Sequence, residues 1–127
     1  MESPKKRILV IDDEVHIRRV IQLMLSSRDY DVITAVDGQE GIRLIETDHP
    51  DVVISDLNMP KVNGRTLCER TNGMKEEKPF LTIVMTSQIS SGDDAWLSRL
   101  NETVFMEKPF SPIKLADYID GYFSGKR

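Results

Sequence analysis

Cysteine is almost absent from this 127-residue chain, where Cys68 stands alone. A lone thiol excludes a disulfide framework and a cysteine-based metal site; within a predicted helix it reads as a small core or boundary residue in a reducing compartment. Long apolar runs are missing as well. None approaches the roughly 18 residues that a membrane-spanning helix needs, and residues 1–7 lead into a short strand-like run rather than a signal-peptide core and cleavage site. The expectation is a cytoplasmic protein with no membrane partner. Beyond Lys5, Lys6 and Arg7 there is no basic run, and the formal net charge is -4, so direct nucleic-acid binding is not indicated and the triplet reads as a solvated tail. Internal repeats and low-complexity segments are absent too. What remains, 39% hydrophobic and 30% charged residues, fits a single domain over 1–127 with its core over about 6–123.

Of what is present, the stretch Val52, Val53, Ile54, Ser55, Asp56, Leu57, Asn58, Met59, Pro60 is the most informative. Its first residues have the apolar, β-branched character of a strand buried on two faces, and the run stops on a carboxylate before a Pro-bounded turn. Ile8 to Ile11 is a second such strand, stopping on Asp12, Asp13 and Glu14. Ile17, Val20, Ile21, Met24 and Leu25 then form an amphipathic helical stripe, with Arg18, Arg19 and Gln22 toward solvent and Asp13 and Glu14 at the helix's positive end. Another strand, 32–35, is followed by an Asp37, Gly38 turn into a helix carrying Ile42, Leu44 and Ile45. After Asn63 and Gly64 a helix with Leu67 and Cys68 dissolves at 71–73, and a charged connector, 75–78, leads to a strand ending on Thr86 and Ser87. Asp93 and Asp94 open a fourth helix with Trp96, Leu97 and Leu100 inward and Asn101 as a left-handed cap. The fifth strand, 104–106, precedes Glu107, Lys108 and Pro109; Ser111 and Pro112 then start a last helix that runs to about Phe123 and leaves a frayed tail. Five strand-helix alternations predict an α/β fold, a doubly wound parallel sheet with helices on both faces. Right-handed crossovers require the strand order to reverse, and the cleft at the reversal is the default site.

The predicted strand ends gather Asp12, Asp13, Asp56, Thr86 and Lys108 at one rim. Two like charges about 4 Å apart repel by roughly 4 kcal/mol at an effective dielectric near 20. Three carboxylates against one lysine therefore call for a hard divalent cation, in the few-ligand, water-retaining manner of magnesium. An Asp beside that cation and a fixed ammonium is also a plausible nucleophile toward a phosphoryl group.

The ordered set Asp12, Asp13; Asp56, Leu57, Asn58, Met59, Pro60; Gly64; Met85, Thr86, Ser87; and Lys108, Pro109, Phe110 resembles the receiver domain of two-component response regulators. The resemblance covers 6–123 and implies a flavodoxin-like strand order 2-1-3-4-5. It also implies that Asp56 accepts phosphate from a histidine kinase or phosphotransfer protein. Mg2+ would be held by Asp13, by Asp12 largely through water, by Asp56 and by the Asn58 carbonyl, while Lys108 and Thr86 take the phosphoryl oxygens. Phe105 stands at the switch aromatic's position, and Asn58 and Gln88 at positions that tune the acyl phosphate's lifetime. A downstream protein partner would read the face formed by the fourth helix, fifth strand and fifth helix; Trp96 reads first as a partly buried packing residue and second as an interface anchor.

Each residue also has a plainer reading: a solvated helix start for Asp12 and Asp13, an ordinary strand end for Thr86, a turn for Lys108, core for Phe105. Their register with one another favours the pocket. His16 and His49 read as surface residues rather than phosphocarriers. One rival is an aspartyl-phosphate phosphatase with a Rossmann-like core, which favours a second Asp two residues beyond the nucleophile, where this chain has Asn58. A scaffold that is never phosphorylated is the other.

Overall fold

A computed structural model describes residues 5–59, 61–87, 95–96, 98–108 and 111–125. In chain order the elements are β1 (Arg7–Ile11), α1 (Val15–Ser27), β2 (Asp31–Ala35), α2 (Gly38–Asp48), β3 (Val52–Asp56) and α3 (Gly64–Thr71). A 3-10 turn (Asn72–Glu76), β4 (Leu81–Thr86), β5 (Thr103–Glu107) and a C-terminal helix α4 (Pro112–Gly125) complete them. Of the predicted fourth helix only Ala95 and Trp96 are described as helical; Asp93, Asp94 and Leu97 lie outside the described residues. The predicted fifth helix is therefore α4.

All strand pairings are parallel, and the order is β2-β1-β3-β4-β5, the reversal falling between β1 and β3. Every residue of β3 and β4 is buried, which explains their largely apolar sequences without a polar alternation: a strand covered on two faces has no polar side to alternate with. One face packs Ile8, Val10, Ile54, Ile83 and Met85 against Ile21 and Leu25 of α1 and Leu115, Ala116 and Ile119 of α4. The other packs Leu9, Ile11 and Val53 against Ile45 of α2 and Leu67 of α3.

Several local expectations need correction. Val20 is 44% exposed, because α1 presents Ile21 and Leu25 to the core and leaves Val20 on its flank. Arg18 is half-buried rather than free in solvent, its guanidinium donating to the Asp12 carbonyl at 2.8 Å. Asp37 and Gly38 are not a separate turn: Asp37 is the N-cap of α2, accepting the Glu40 N–H at 2.9 Å, and Gly38 is its first residue. The left-handed residue before β5 is Glu102, φ 44°, not Asn101. Asn101 is held by its own partners, its N–H donating to Asn72 Oδ1 and its carbonyl accepting from Lys75, so the bend falls one residue later. Lys75, the first residue of the charged connector, is itself buried. The last helix continues through Ser124 to Gly125.

Candidate functional site

Parallel strands deliver their carboxyl ends to one edge, and the β1/β3 reversal opens the crevice there. Asp12 follows β1 directly, anchored by its N–H donating to the Ala35 carbonyl at 3.2 Å. It is fully buried, and its Oδ1 accepts the Glu14 N–H at 2.9 Å. Its Oδ2 is also buried and has no hydrogen-bond partner among the described residues. Asp56, the last residue of β3, is 5% exposed. Its oxygens face different donors: Oδ1 accepts the Asn58 N–H at 3.2 Å, and Oδ2 takes Lys108 Nζ at 2.7 Å. Lys108 is in turn placed by its N–H donating to the Thr86 carbonyl at 2.7 Å. Thr86 closes β4 with its side chain buried, and Phe105 is half-buried in β5, with its ring edge-on to Trp96 at 5.3 Å between centroids.

The electrostatics follow from this crowding. Burial holds the Asp12 carboxyl above its ordinary range, with the charges of Asp56 and Glu14 pushing the same way and the Glu14 N–H and Lys108 opposing. For Lys108, burial pulls downward, but the hydrogen bond and charge of Asp56, with Asp12 and Glu14 behind it, win and raise the ammonium above its usual value. Ligand oxygens of Asp12, Asp13, Glu14 and Asp56 lie within 4.8 Å of one another. An oxygen-only donor set, an unpartnered buried carboxylate oxygen and an excess of negative charge together suit a hard divalent cation such as Mg2+.

The structure thus brings Asp12, Asp13, Asp56 and Lys108 together, with Thr86 joined through its carbonyl. Asn58 is exposed beside them, its N–H on Asp56. Gln88, Pro109 and Phe110 lie outside the described residues. Glu14, at the strand end and the helix's positive end in sequence but not among the expected pocket residues, joins them in the structure; its place directly after the Asp pair is the signal that it shares their pocket. His16 and His49 are exposed, and His49 takes a left-handed conformation closing α2.

Residues 8–120 match the family model described as "Response regulator receiver domain". A "Probable transcriptional regulator ycf27" of Cyanophora paradoxa is 36% identical over 115 residues, covering 91% of this chain and 47% of the relative. The "Alkaline phosphatase synthesis transcriptional regulatory protein PhoP" of Bacillus subtilis (strain 168) is 37% identical over 107 residues, 84% of this chain and 44% of its own length. The chain therefore spans about half the length of the curated relatives it matches. Among solved structures, the chemotaxis protein CheY4 of Vibrio cholerae superposes with a TM-score of 0.83 at 26% identity, covering 93% of this chain and 98% of that one. A strand order with its reversal at the acidic rim, a buried Asp paired to a lysine across that rim, and a family match spanning nearly the whole sheet lead to one conclusion: this chain belongs to the response regulator receiver domains of two-component signalling.

Proposed function

We propose that this receiver domain is a phosphorylation-controlled switch that takes a phosphoryl group on Asp56 from the phosphohistidine of a histidine kinase or phosphotransfer protein. The observation that supports this most directly is the 2.7 Å pair of Asp56 and Lys108 beside the unpartnered Oδ2 of Asp12. Asp12, Asp13, Asp56 and the Asn58 carbonyl would hold Mg2+, which when bound supplies charge neutralisation for the phosphoryl oxygens. Asp56 acts as nucleophile: an oxygen–phosphorus bond forms as the donor's nitrogen–phosphorus bond breaks, and the electron pair leaves with the imidazole. Lys108 moves from carboxylate to phosphoryl oxygen. The Asn58 N–H steadies the carboxylate, and the position of Asn58 with that of Gln88 sets how water reaches the product.

A phosphoryl group adds about two negative charges and three acceptor oxygens. Capturing the Thr86 hydroxyl moves the end of β4, and Phe105, one strand away, repacks against Trp96. The surface of β5 and α4 then carries the signal to a protein partner. The relatives named transcriptional regulators are about twice as long as this chain, and this reading assigns nucleic-acid contact to no residue of it.

Intact mass after incubation with acetyl phosphate, with and without Mg2+, tests the reading on the native chain and on Asp56→Asn. The expected result is a metal-dependent, base-labile gain of one phosphoryl group that disappears in the variant. No gain under any condition would instead favour an unphosphorylated scaffold.

A further inference from the structure

The loop between β3 and α3 carries Asn58, whose N–H sets one oxygen of the phosphoacceptor, and this loop is gripped by an element outside the acidic pocket. Its ends are fixed locally: the Leu57 N–H donates to the Met85 carbonyl at 2.9 Å, and the Gly64 N–H donates to the Leu57 carbonyl at 2.8 Å. Gly64 lies so close to the chain that a Cβ there would stand 2.7 Å from the Asp56 carbonyl oxygen. The middle of the loop rests on the start of α2. A Cβ on Gly38 would lie 2.1 Å from the Val62 carbonyl oxygen and 2.9 Å from the Val62 Cβ, so loop backbone occupies the space that any other residue would fill. Beside it Lys61 is held left-handed at φ 68°, a conformation unusual for a residue with a side chain. Its ammonium meets Asp37 Oδ2 at 3.3 Å, while Asp37 Oδ1 caps α2. Asp37 thus ties loop and helix together with one carboxylate.

Neither Asp37 nor Gly38 belongs to the acidic cluster, yet the loop they hold presents the Asn58 N–H to Asp56. We propose that Asp37 and Gly38 at the start of α2 are positioning residues of the phosphoacceptor site: through Val62 and Lys61 they fix the loop so that Asn58 meets Asp56 and the acidic oxygens stay in metal-binding register. The proposal rests on the phosphoacceptor reading of Asp56. Its grip is steric at Gly38 and ionic at Lys61, and these two parts can be perturbed separately.

The test is titration calorimetry of Mg2+ into native, Gly38→Ala, Asp37→Asn and Lys61→Ala chains, with the Mg2+ dependence of acetyl phosphate labelling measured on the same samples. Gly38→Ala displaces backbone, so its Mg2+ dissociation constant rises about tenfold, in the range seen when support of a metal ligand is lost. Half-maximal labelling moves to correspondingly higher Mg2+, and labelling at saturating Mg2+ recovers. Gly41→Ala is the packing control: its Cβ would meet the Ile11 side chain, at 2.4 Å from Cδ1 and 3.0 Å from Cγ1, and no backbone of the loop, so it lowers stability with a smaller effect on Mg2+ affinity than Gly38→Ala. Asp37→Asn keeps a capping side chain and Lys61→Ala alters an exposed one, so these variants decide the matter should Gly38→Ala not fold.

The ionic variants also separate position from simple charge. Removing a positive charge by Lys61→Ala would tighten Mg2+ if only the field mattered, and removing a negative one by Asp37→Asn would weaken it. A positioning role weakens Mg2+ in both, by about threefold for an ion pair whose lysine end is exposed. Opposite shifts, or native affinity in a folded Gly38→Ala chain that is labelled normally, overturn the proposal alone. A native chain that takes up no phosphoryl group overturns the phosphoacceptor reading and this proposal with it.

Discussion

Lys75 takes a positive charge into the interior of the chain, 6% exposed, and is satisfied there by two backbone carbonyls and one hydroxyl. Its ammonium donates to the carbonyls of Asn101 at 2.5 Å and Glu102 at 3.1 Å and to Thr103 Oγ1 at 3.0 Å, and lies 4.8 Å from the Phe80 ring centroid. It pins the turn after α3 to the bend before β5. Burial pulls its pKa down to about 8, with Cys68 and Glu102 opposing. Burial pushes the neighbouring Cys68 thiol up to about 12. These shifts act on stability with opposite signs. Below about 8 the folded chain carries the full penalty of a buried ammonium, which is relieved as pH rises toward the unfolded value of 10.5. The buried thiol contributes stability that is complete below 9 and is lost as pH rises toward 12. Urea unfolding should therefore show the native chain gaining stability between pH 8 and 9 and then flattening. Cys68→Ala should continue to gain, with its increase from pH 8 to pH 10 exceeding the native one by about 1 kcal/mol. Identical pH profiles for the two chains would show that the thiol does not titrate as the structure requires.

Between elements, the end of α1 is fastened to α4 by a small polar cluster. Asp120 receives the Tyr30 hydroxyl on Oδ1 and Arg28 Nη1 at 2.5 Å on Oδ2, while the more exposed Asp117 takes the same guanidinium nitrogen at 2.9 Å. Burial first, then Asp120, pushes the Tyr30 phenol well above its ordinary value, so it stays a donor throughout the neutral range. Asp120→Ala would leave that half-buried hydroxyl without its acceptor and should cost about 1–2 kcal/mol. Asp117→Ala removes one exposed ion pair and should stay within about 0.5 kcal/mol of native, both read from urea midpoints. Equal losses would mean that the cluster acts through charge alone. Neither residue drew attention in the sequence, because a junction between α1 and α4 joins residues 90 positions apart. The elements themselves were legible: the apolar runs of β1, β3 and β4 announce strands covered on two faces, and Ser111 with Pro112 announces the start of α4. The burial of Lys75 has no sign in the sequence, for a physical reason. A lysine among Glu76, Glu77 and Lys78 looks solvated, and only the tertiary meeting of the 3-10 turn with the bend before β5 supplies the carbonyls that let it be buried. The bend shows the same limit: Asn101 is the better left-handed residue by propensity, but its hydrogen bonds to Asn72 and Lys75 place the turn at Glu102.

At the scale of the whole molecule, the candidate site was legible because strand ends carry it: parallel topology turns Asp12, Asp56, Thr86 and Lys108, far apart in sequence, into neighbours at one rim. What was not legible is how the chain outside the rim supports it, since Gly38 meets Val62 through an absence of side-chain atoms. The same topology burdens the fold with four acidic groups within 4.8 Å and one ammonium among them. Asp12 bears most of this burden, buried with one oxygen unpartnered. Such an arrangement favours function over stability. Without metal, Asp12→Asn should therefore raise the thermal midpoint, because the amide removes a charge that burial and Asp56 disfavour. With Mg2+ the order should close or reverse. A ligand at tenfold its dissociation constant stabilises the native state by about 1.4 kcal/mol, and the Asp12→Asn chain, having lost a carboxylate of the cluster, should gain far less. Thermal unfolding of the two chains across a Mg2+ titration, with Ca2+ as a second hard cation, checks this. A metal-free Asp12→Asn chain less stable than native would mean that the Asp12 carboxylate supports the fold in its own right, and equal Mg2+ gains would remove Asp12 from the metal-holding set.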